Sequence, residues 1–276
     1  MRTLTLFWAI LLLFSCQTVR QDKAGISSSQ ITIFENELTI EGLDRARTIR
    51  VYTPPGYAES DQTYPVLYMH DGQNLFEDST SYVGEWGVDE NMDSLSKNNG
   101  LNLIVVGIDN GGDNRIHELT AWDHERYGKA EGKEYMKFVV ETVKPFIDAK
   151  FRTKPERANT AIMGSSLGGL ISHYAIYEYA GTFSKAGIFS PSYWWGKGPF
   201  DQVENIQLPT DTRLNFLMGG KEGENMVRPM EQMVAKVLAK GHPEHNLTSK
   251  INPEGEHNEK LWRAEFQEAI LWLFKD

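Results

Sequence analysis

The sequence is short of what staples a protein together or drives it into a membrane. It has one cysteine, Cys16, in 276 residues, so no intrachain disulfide and no thiolate zinc cage can form. It has no long basic run, and 28 bases against 38 acids leave a formal net charge of -10. Such a chain lacks the electrostatic footprint of a nucleic-acid binder and is not drawn to an anionic bilayer surface. The apolar run near its start, Leu4 to Phe14, includes Thr5 and is too short to cross a bilayer as a helix. No internal repeat and no low-complexity block follows it. What is present is ordinary for a globular protein, 40% hydrophobic and 24% charged, which excludes wholesale disorder and fibrous structure.

A single base, Arg2, precedes the apolar run, which ends at Leu13-Phe14-Ser15-Cys16. A basic start before a short apolar core reads as a secretory signal. The junction resembles a bacterial lipobox. That implies export to the bacterial cell envelope, in the periplasm or at the outer membrane, with Cys16 carrying the lipid as the only membrane anchor. Gln17 to Ser29 is polar and reads as a tether. The expected organisation is a lipoprotein-type signal peptide over 1–15, a tether over 16–29 and one domain over 30–276, long enough to bury a sizeable core.

Within that domain, Ile31 to Phe34 and Arg47 to Tyr52 have strand character. Pro65 to Met69 and Leu103 to Ile108 are nearly unbroken apolar runs, as strands covered on both faces would be. Tyr135, Phe138, Val139, Val143, Phe146 and Ile147 share one helical face, and Pro145 is expected to kink or shorten that helix. Thr160 to Met163, Ala186 to Phe189, Leu214 to Met218 and Leu247 to Ile251 are further strand candidates. Helices are expected over Leu167 to Tyr179, through Met226, Met230, Met233 and Val237, and over Trp262 to Leu273. The methionine row reads as core packing. Alternating strands and helices predict an α/β class with a mostly parallel central sheet and helices on both faces.

Gly164-Ser165-Ser166-Leu167-Gly168 fits G-x-S-x-G, between an apolar strand and a helix. A tight strand-to-helix turn would lift the Ser166 hydroxyl above the sheet, with little room for side chains at Gly164 and Gly168. The N–H of Leu167 would then face a developing oxyanion. A serine hydroxyl needs a histidine base, and the base needs an orienting acid. Four histidines follow the serine. His173 falls inside the next helix, and His242 and His245 flank Pro243. His257 lies in a loop after a strand candidate and before the last helix, where a base is needed. Glu222 and Glu224 both follow the strand ending at Met218. Glu222 is nearer and preferred, whereas Asp211 precedes that strand.

Several segments together resemble the putative-esterase family of α/β-hydrolases, which includes esterase D and the enterochelin, feruloyl and acetyl-xylan esterases. They are Leu67-Tyr68-Met69-His70-Asp71-Gly72-Gln73-Asn74, Val105 to Asn110, the serine motif, Phe189-Ser190-Pro191-Ser192-Tyr193-Trp194-Trp195, and Gly255-Glu256-His257-Asn258-Glu259. The enterochelin-esterase-like branch is most similar. The resemblance implies an α/β-hydrolase fold, Ser166 as nucleophile, His257 as base and Glu222 as acid. It also implies a second oxyanion donor, the backbone N–H of Gln73, and no cofactor.

Other residues have weaker claims. Asp109 to Asn114 begins like a calcium loop, but its twelfth position is Thr120, so no metal site is expected. That loop with Arg115, Glu118 and Trp122 is expected to line the pocket mouth, and Trp194 and Trp195 to stack on a sugar or an aromatic acyl group. The expected activity is hydrolysis of a carboxylic ester through an acyl-enzyme, the substrate being an acylated carbohydrate or a siderophore-type ester. Acyl transfer by the same residues and a noncatalytic glycan- or partner-binding lipoprotein are the alternatives.

Overall fold

A computed structural model describes residues 30–274. The expected signal peptide, Cys16 and the tether lie outside the described residues. Among the described residues, β1 (Gln30–Ile40), β2 (Arg45–Thr53), β3 (Val66–His70), β4 (Ile104–Ile108), β5 (Thr160–Ser165), β6 (Lys185–Phe189), β7 (Arg213–Gly219) and β8 (Leu247–Asn252) form one sheet. Their order across it is β1-β2-β4-β3-β5-β6-β7-β8. β2 runs antiparallel to β1 and β4, and every other pair is parallel.

The apolar runs are explained by burial on two sides. In β3, Val66 and Tyr68 enter one core while Leu67 and Met69 enter the other. β5 divides in the same way, Ile162 against Ala161 and Met163. One core is closed by α1 (Val88–Asn99) and α8 (Glu259–Leu273), through Met92, Leu95, Trp262 and Phe266. The other is closed by α3 (Gly132–Phe138), α4 (Lys144–Lys150), α5 (Leu167–Glu178), α6 (Gly198–Asn205) and α7 (Glu224–Ala239). Met230 and Met233 of α7 are buried there, each worth roughly 1.5–3 kcal/mol relative to exposure. α2 (Arg115–Glu118) is a single turn.

Pro145 neither breaks nor ends its helix. A π turn over Val139–Val143 joins α3 to α4, and Pro145 falls in the first turn of α4. The wider turn absorbs the missing N–H and the ring just where an α-helix would clash with its own carbonyl. α1 has no counterpart in the sequence reading, because only Val88, Met92 and Leu95 mark its buried face.

Strand direction sets the location of the chemistry. β3, β5, β6, β7 and β8 all deliver their C-terminal ends to one edge of the sheet, and the loops there carry Asp71, Ser166, Ser190, Glu222 and His257. At the opposite edge, Gln30 lies beside Thr53, and Tyr52 lies beside Val105 near the start of β4.

Candidate active site

Ser166 joins β5 to α5 with φ 61° and ψ -122°, a backbone conformation that costs a non-glycine residue about 1–3 kcal/mol. Its N–H donates to Phe189 O at 2.9 Å, and its carbonyl accepts from Leu170 and from Ser192. A Cβ on Gly164 would lie 2.8 Å from the Gly168 backbone, and one on Gly169 only 2.6 Å from Phe189 O. At Gly168 the nearest atom would be 3.3 Å away, so close approach constrains Gly164 and Gly169 rather than the expected Gly164 and Gly168. Ser166 is half-buried, and its Oγ lies 3.5 Å from Ser192 Oγ. Leu167, the first residue of α5, has an N–H with no acceptor inside the helix, at the positive end of the helix dipole.

His257 precedes Asn258, whose side chain caps α8 by accepting from the Leu261 N–H. Its Nδ1 meets Glu222 Oε2 at 2.6 Å. The Glu222 side chain is fully buried, and its Oε1 accepts from the Gly219 N–H at 2.8 Å and the Ser190 hydroxyl at 2.5 Å. Facing a carboxylate, Nδ1 is the donor, which leaves Nε2 as the acceptor nitrogen. Glu224 opens α7, exposed. The Trp262 ring stands edge-on to His257, centroids 5.2 Å apart and planes at 85°.

The loop after β3 supplies the facing wall. Asp71 sits in the left-handed region, φ 58°, and starts a tight turn over Gly72–Asn74. The Gly72 carbonyl accepts from Leu75, so the N–H of Gln73, on the same trans peptide, points the other way. Thr80 Oγ1 donates to the Gln73 carbonyl at 2.7 Å, and Gln73 Oε1 accepts from the Asn110 N–H at 3.0 Å. Burial pushes the Asp71 carboxyl up, but Arg115, at 2.6 and 2.8 Å, and Asn110 outweigh it and hold it below the usual carboxylate value. Burial pushes His70 down to about 4, and its Nδ1 is 2.8 Å from the Tyr135 hydroxyl. Ser166, His257 and Gln73 line one cleft of about 730 Å³, with Arg115, Trp86 and Tyr82.

Comparison with known proteins bears on this geometry. Residues 40–273 match the family described as Putative esterase. The chain belongs to that family. It is an ester hydrolase. This esterase is 27% identical, over 246 residues, to the Uncharacterized protein YbbA of Bacillus subtilis, a match covering 83% of this chain and 92% of that one. It is also 27% identical, over 241 residues, to an endo-1,4-beta-xylanase/feruloyl esterase of Xylanibacter ruminicola, where the match takes in 85% of this chain but only 30% of the longer protein. Among solved structures, an IroE-like serine hydrolase from Shewanella oneidensis has a TM-score of 0.73 at 20% identity, covering 89% of this chain and 80% of that one. The fold is accordingly that of an α/β-hydrolase.

Not every residue expected at the pocket of this esterase is there. Glu118 is fully buried away from the cleft, where it receives Arg47 and, at 2.9 Å, Arg45. The single turn of α2 rolls its side chain inward beneath Gly111. Trp195 is 4% exposed, donates its indole N–H to Trp122 O at 2.8 Å and stacks on Tyr127. Trp194 is 44% exposed but stands beside His124 and Tyr127, outside the cleft that holds Ser166. Trp122 packs against Tyr174. Arg115 does line the cleft, tied to Asp71. Asp109 is taken up by Arg50 at 2.8 and 3.0 Å rather than opening a calcium loop. His173 is fully buried, its Nδ1 2.8 Å from the Tyr193 hydroxyl.

Three contributors escaped the sequence reading. Ser190 touches Glu222, Ser192 touches Ser166, and Tyr82 stands 90% exposed on the cleft rim. The Ser190-Pro191-Ser192 turn after β6 was the available signal for the first two. A loop tyrosine carries none.

Proposed function

We propose that this esterase is a serine carboxylic-ester hydrolase in which Ser166, His257 and Glu222 act as a triad. The observation that carries the reading is the 2.6 Å contact between a fully buried Glu222 carboxylate and Nδ1 of His257, which lines the same cleft as Ser166. Ser166 Oγ attacks the ester carbonyl carbon as His257 Nε2 takes its proton. The oxyanion is held by the N–H groups of Leu167 and Gln73. Collapse breaks the bond to the alcohol, which leaves with the proton from His257. Water then attacks the acyl-enzyme, His257 again acting as base, and the acid departs as Ser166 regains its proton. In the free enzyme Ser166 Oγ lies 3.5 Å from Ser192 Oγ, and its bond to the imidazole is one that forms on substrate binding. Such bonds commonly tighten only once substrate is bound.

The substrate we propose is an acylated carbohydrate or a siderophore-type ester. The feruloyl esterase relative supports it, as does the structural likeness to a siderophore hydrolase from Aspergillus nidulans, TM-score 0.71 at 18% identity. Tyr82, 90% exposed on the cleft rim, offers a face for a sugar or an aromatic ring. We also propose export and lipid anchoring through Cys16.

Hydrolysis of p-nitrophenyl acetate by the wild type beside Ser166→Ala tests the triad. A loss of at least about 10³-fold is expected, with the circular dichroism spectrum unchanged. Equal rates would remove Ser166 as nucleophile. For the anchor, labelled palmitate should enter the wild type and not Cys16→Ser, and equal labelling would refute it.

A further inference from the structure

We propose that Ser190 and Trp262 are positioning residues, forming a hydrogen-bonded relay from Trp262 through Ser190 to Glu222 that locks the acid against the base. The inference rests on the triad reading above and deepens it. Ser190 is the first residue after β6 and is fully buried. Its φ is +42°, in the left-handed region that a serine enters only when its surroundings compel it. Its N–H donates to Leu217 O of β7 at 2.7 Å, which ties this turn to the strand that leads to Glu222. The forced turn brings Ser190 Oγ to 2.5 Å from Glu222 Oε1 and 2.9 Å from the Trp262 indole nitrogen.

The direction of the relay follows from donor counts. An indole N–H can only donate, so Ser190 Oγ accepts from Trp262 and spends its single proton on the carboxylate. With the Gly219 N–H, Oε1 then has two donors and the carboxylate cannot rotate. Oε2 is left to His257 alone. Trp262 is 5% exposed, and the ring whose N–H begins the relay also stands edge-on to His257. One side chain of α8 therefore sets both the acid, through Ser190, and the base, by contact. No proton travels along the relay. It fixes orientation.

The test measures kcat and KM on p-nitrophenyl acetate for Ser190→Ala, Trp262→Phe and the double variant, with the proton NMR resonance of His257 Nδ1–H. Ser190→Ala should lower kcat about 10- to 100-fold, the worth of one hydrogen bond to a charged group, with KM within about 3-fold. Trp262→Phe keeps an aromatic ring against His257 and should cost about 3- to 10-fold. The double variant should be no worse than Ser190→Ala within about 2-fold, because Trp262 reaches the acid only through Ser190. The low-field His257 Nδ1 proton should move upfield in Ser190→Ala. Losses that multiply in the double variant would overturn the relay. So would a Ser190→Ala enzyme with wild-type kcat and an unmoved proton, even if its melting temperature falls. If the wild type cleaves no ester, the triad reading fails. The relay is then judged on the Nδ1 proton, which needs no turnover.

Discussion

Replacing Glu222 by glutamine changes one oxygen to nitrogen, and the surroundings dictate which. Oε1 accepts from the Gly219 N–H and the Ser190 hydroxyl, so the amide oxygen must occupy that place. The amide NH₂ then faces His257 Nδ1, which has to become the acceptor. The ring proton moves to Nε2, the nitrogen that should receive the proton of Ser166. Two losses combine. The charge-assisted bond alone is worth about 1.5–3 kcal/mol, roughly 10- to 150-fold in rate. The inverted tautomer adds the remainder of the drop of about 10⁴ seen when a triad aspartate elsewhere becomes asparagine. For Glu222→Gln we expect kcat on p-nitrophenyl acetate to fall by about 10³–10⁴, with KM within about 3-fold because the side chain does not line the cleft. Circular dichroism would check the fold, and stopped assays at enzyme concentrations above the background rate would give kcat. A fall below about 10-fold would refute the role of Glu222. A fall confined to roughly 10- to 150-fold would mean that the lost charge, and not the tautomer, accounts for it.

Three more perturbations test other parts of the argument. Gly169→Ala places a Cβ 2.6 Å from Phe189 O, so we expect kcat to drop more than 10-fold and the melting temperature to drop by about 3–10 °C, whereas Gly168→Ala should stay within about 3 °C of the wild type, and equal effects would refute the steric account. Glu118→Gln should leave Arg47 uncompensated and cost about 3–5 kcal/mol, seen as a lower melting temperature, while KM is unchanged because Glu118 lies outside the cleft, and a raised KM would return it to the pocket. Burial holds His70 and His173 neutral down to about 4 and about 3, so the unfolded chain binds protons below about 6.5 before the folded one does, and His70 alone contributes a loss of about 3 kcal/mol as pH drops from about 6.5 towards 4, against which the Asp89 carboxyl, pushed up by burial to about 8, works in the opposite direction. The His70 share is read as the difference in melting temperature between the wild type and His70→Gln, and a difference that stays constant over that range would refute the neutral burial of His70.

Strands of a doubly covered parallel sheet were legible because burial on both faces leaves an unbroken apolar run, as in Val66 to Met69 and Ile104 to Ile108. The meeting of Ser166 and His257 at one end of the sheet was legible because each follows a strand whose C-terminal end points there. α1 was not legible, since three apolar residues in twelve make too sparse a stripe. Glu118, Trp194 and Trp195 were misplaced for a common reason. Each sits in a loop or a single turn, where spacing gives no period from which to tell the inward side. Ser190 stands in a segment that resembles the family, which says nothing of its contacts. Its placement depends on a left-handed backbone and on contacts with β7 and α8, neither of which a local pattern encodes.

The edge hairpin of β1 and β2 has a bearing on reach. Gln30 lies beside Thr53 where the parallel strands depart, and the cleft opens where they arrive. A five-residue strand spans roughly 17 Å, so about that depth of protein separates the point of entry from the scissile bond. For an enzyme held by lipid at Cys16, as proposed above, the leash attaches at the stern while the mouth faces forward. A tether over 16–29 would reach roughly 20 Å, so such an enzyme would meet esters from the surrounding medium directly and would have to turn over on its leash to meet those in its own membrane.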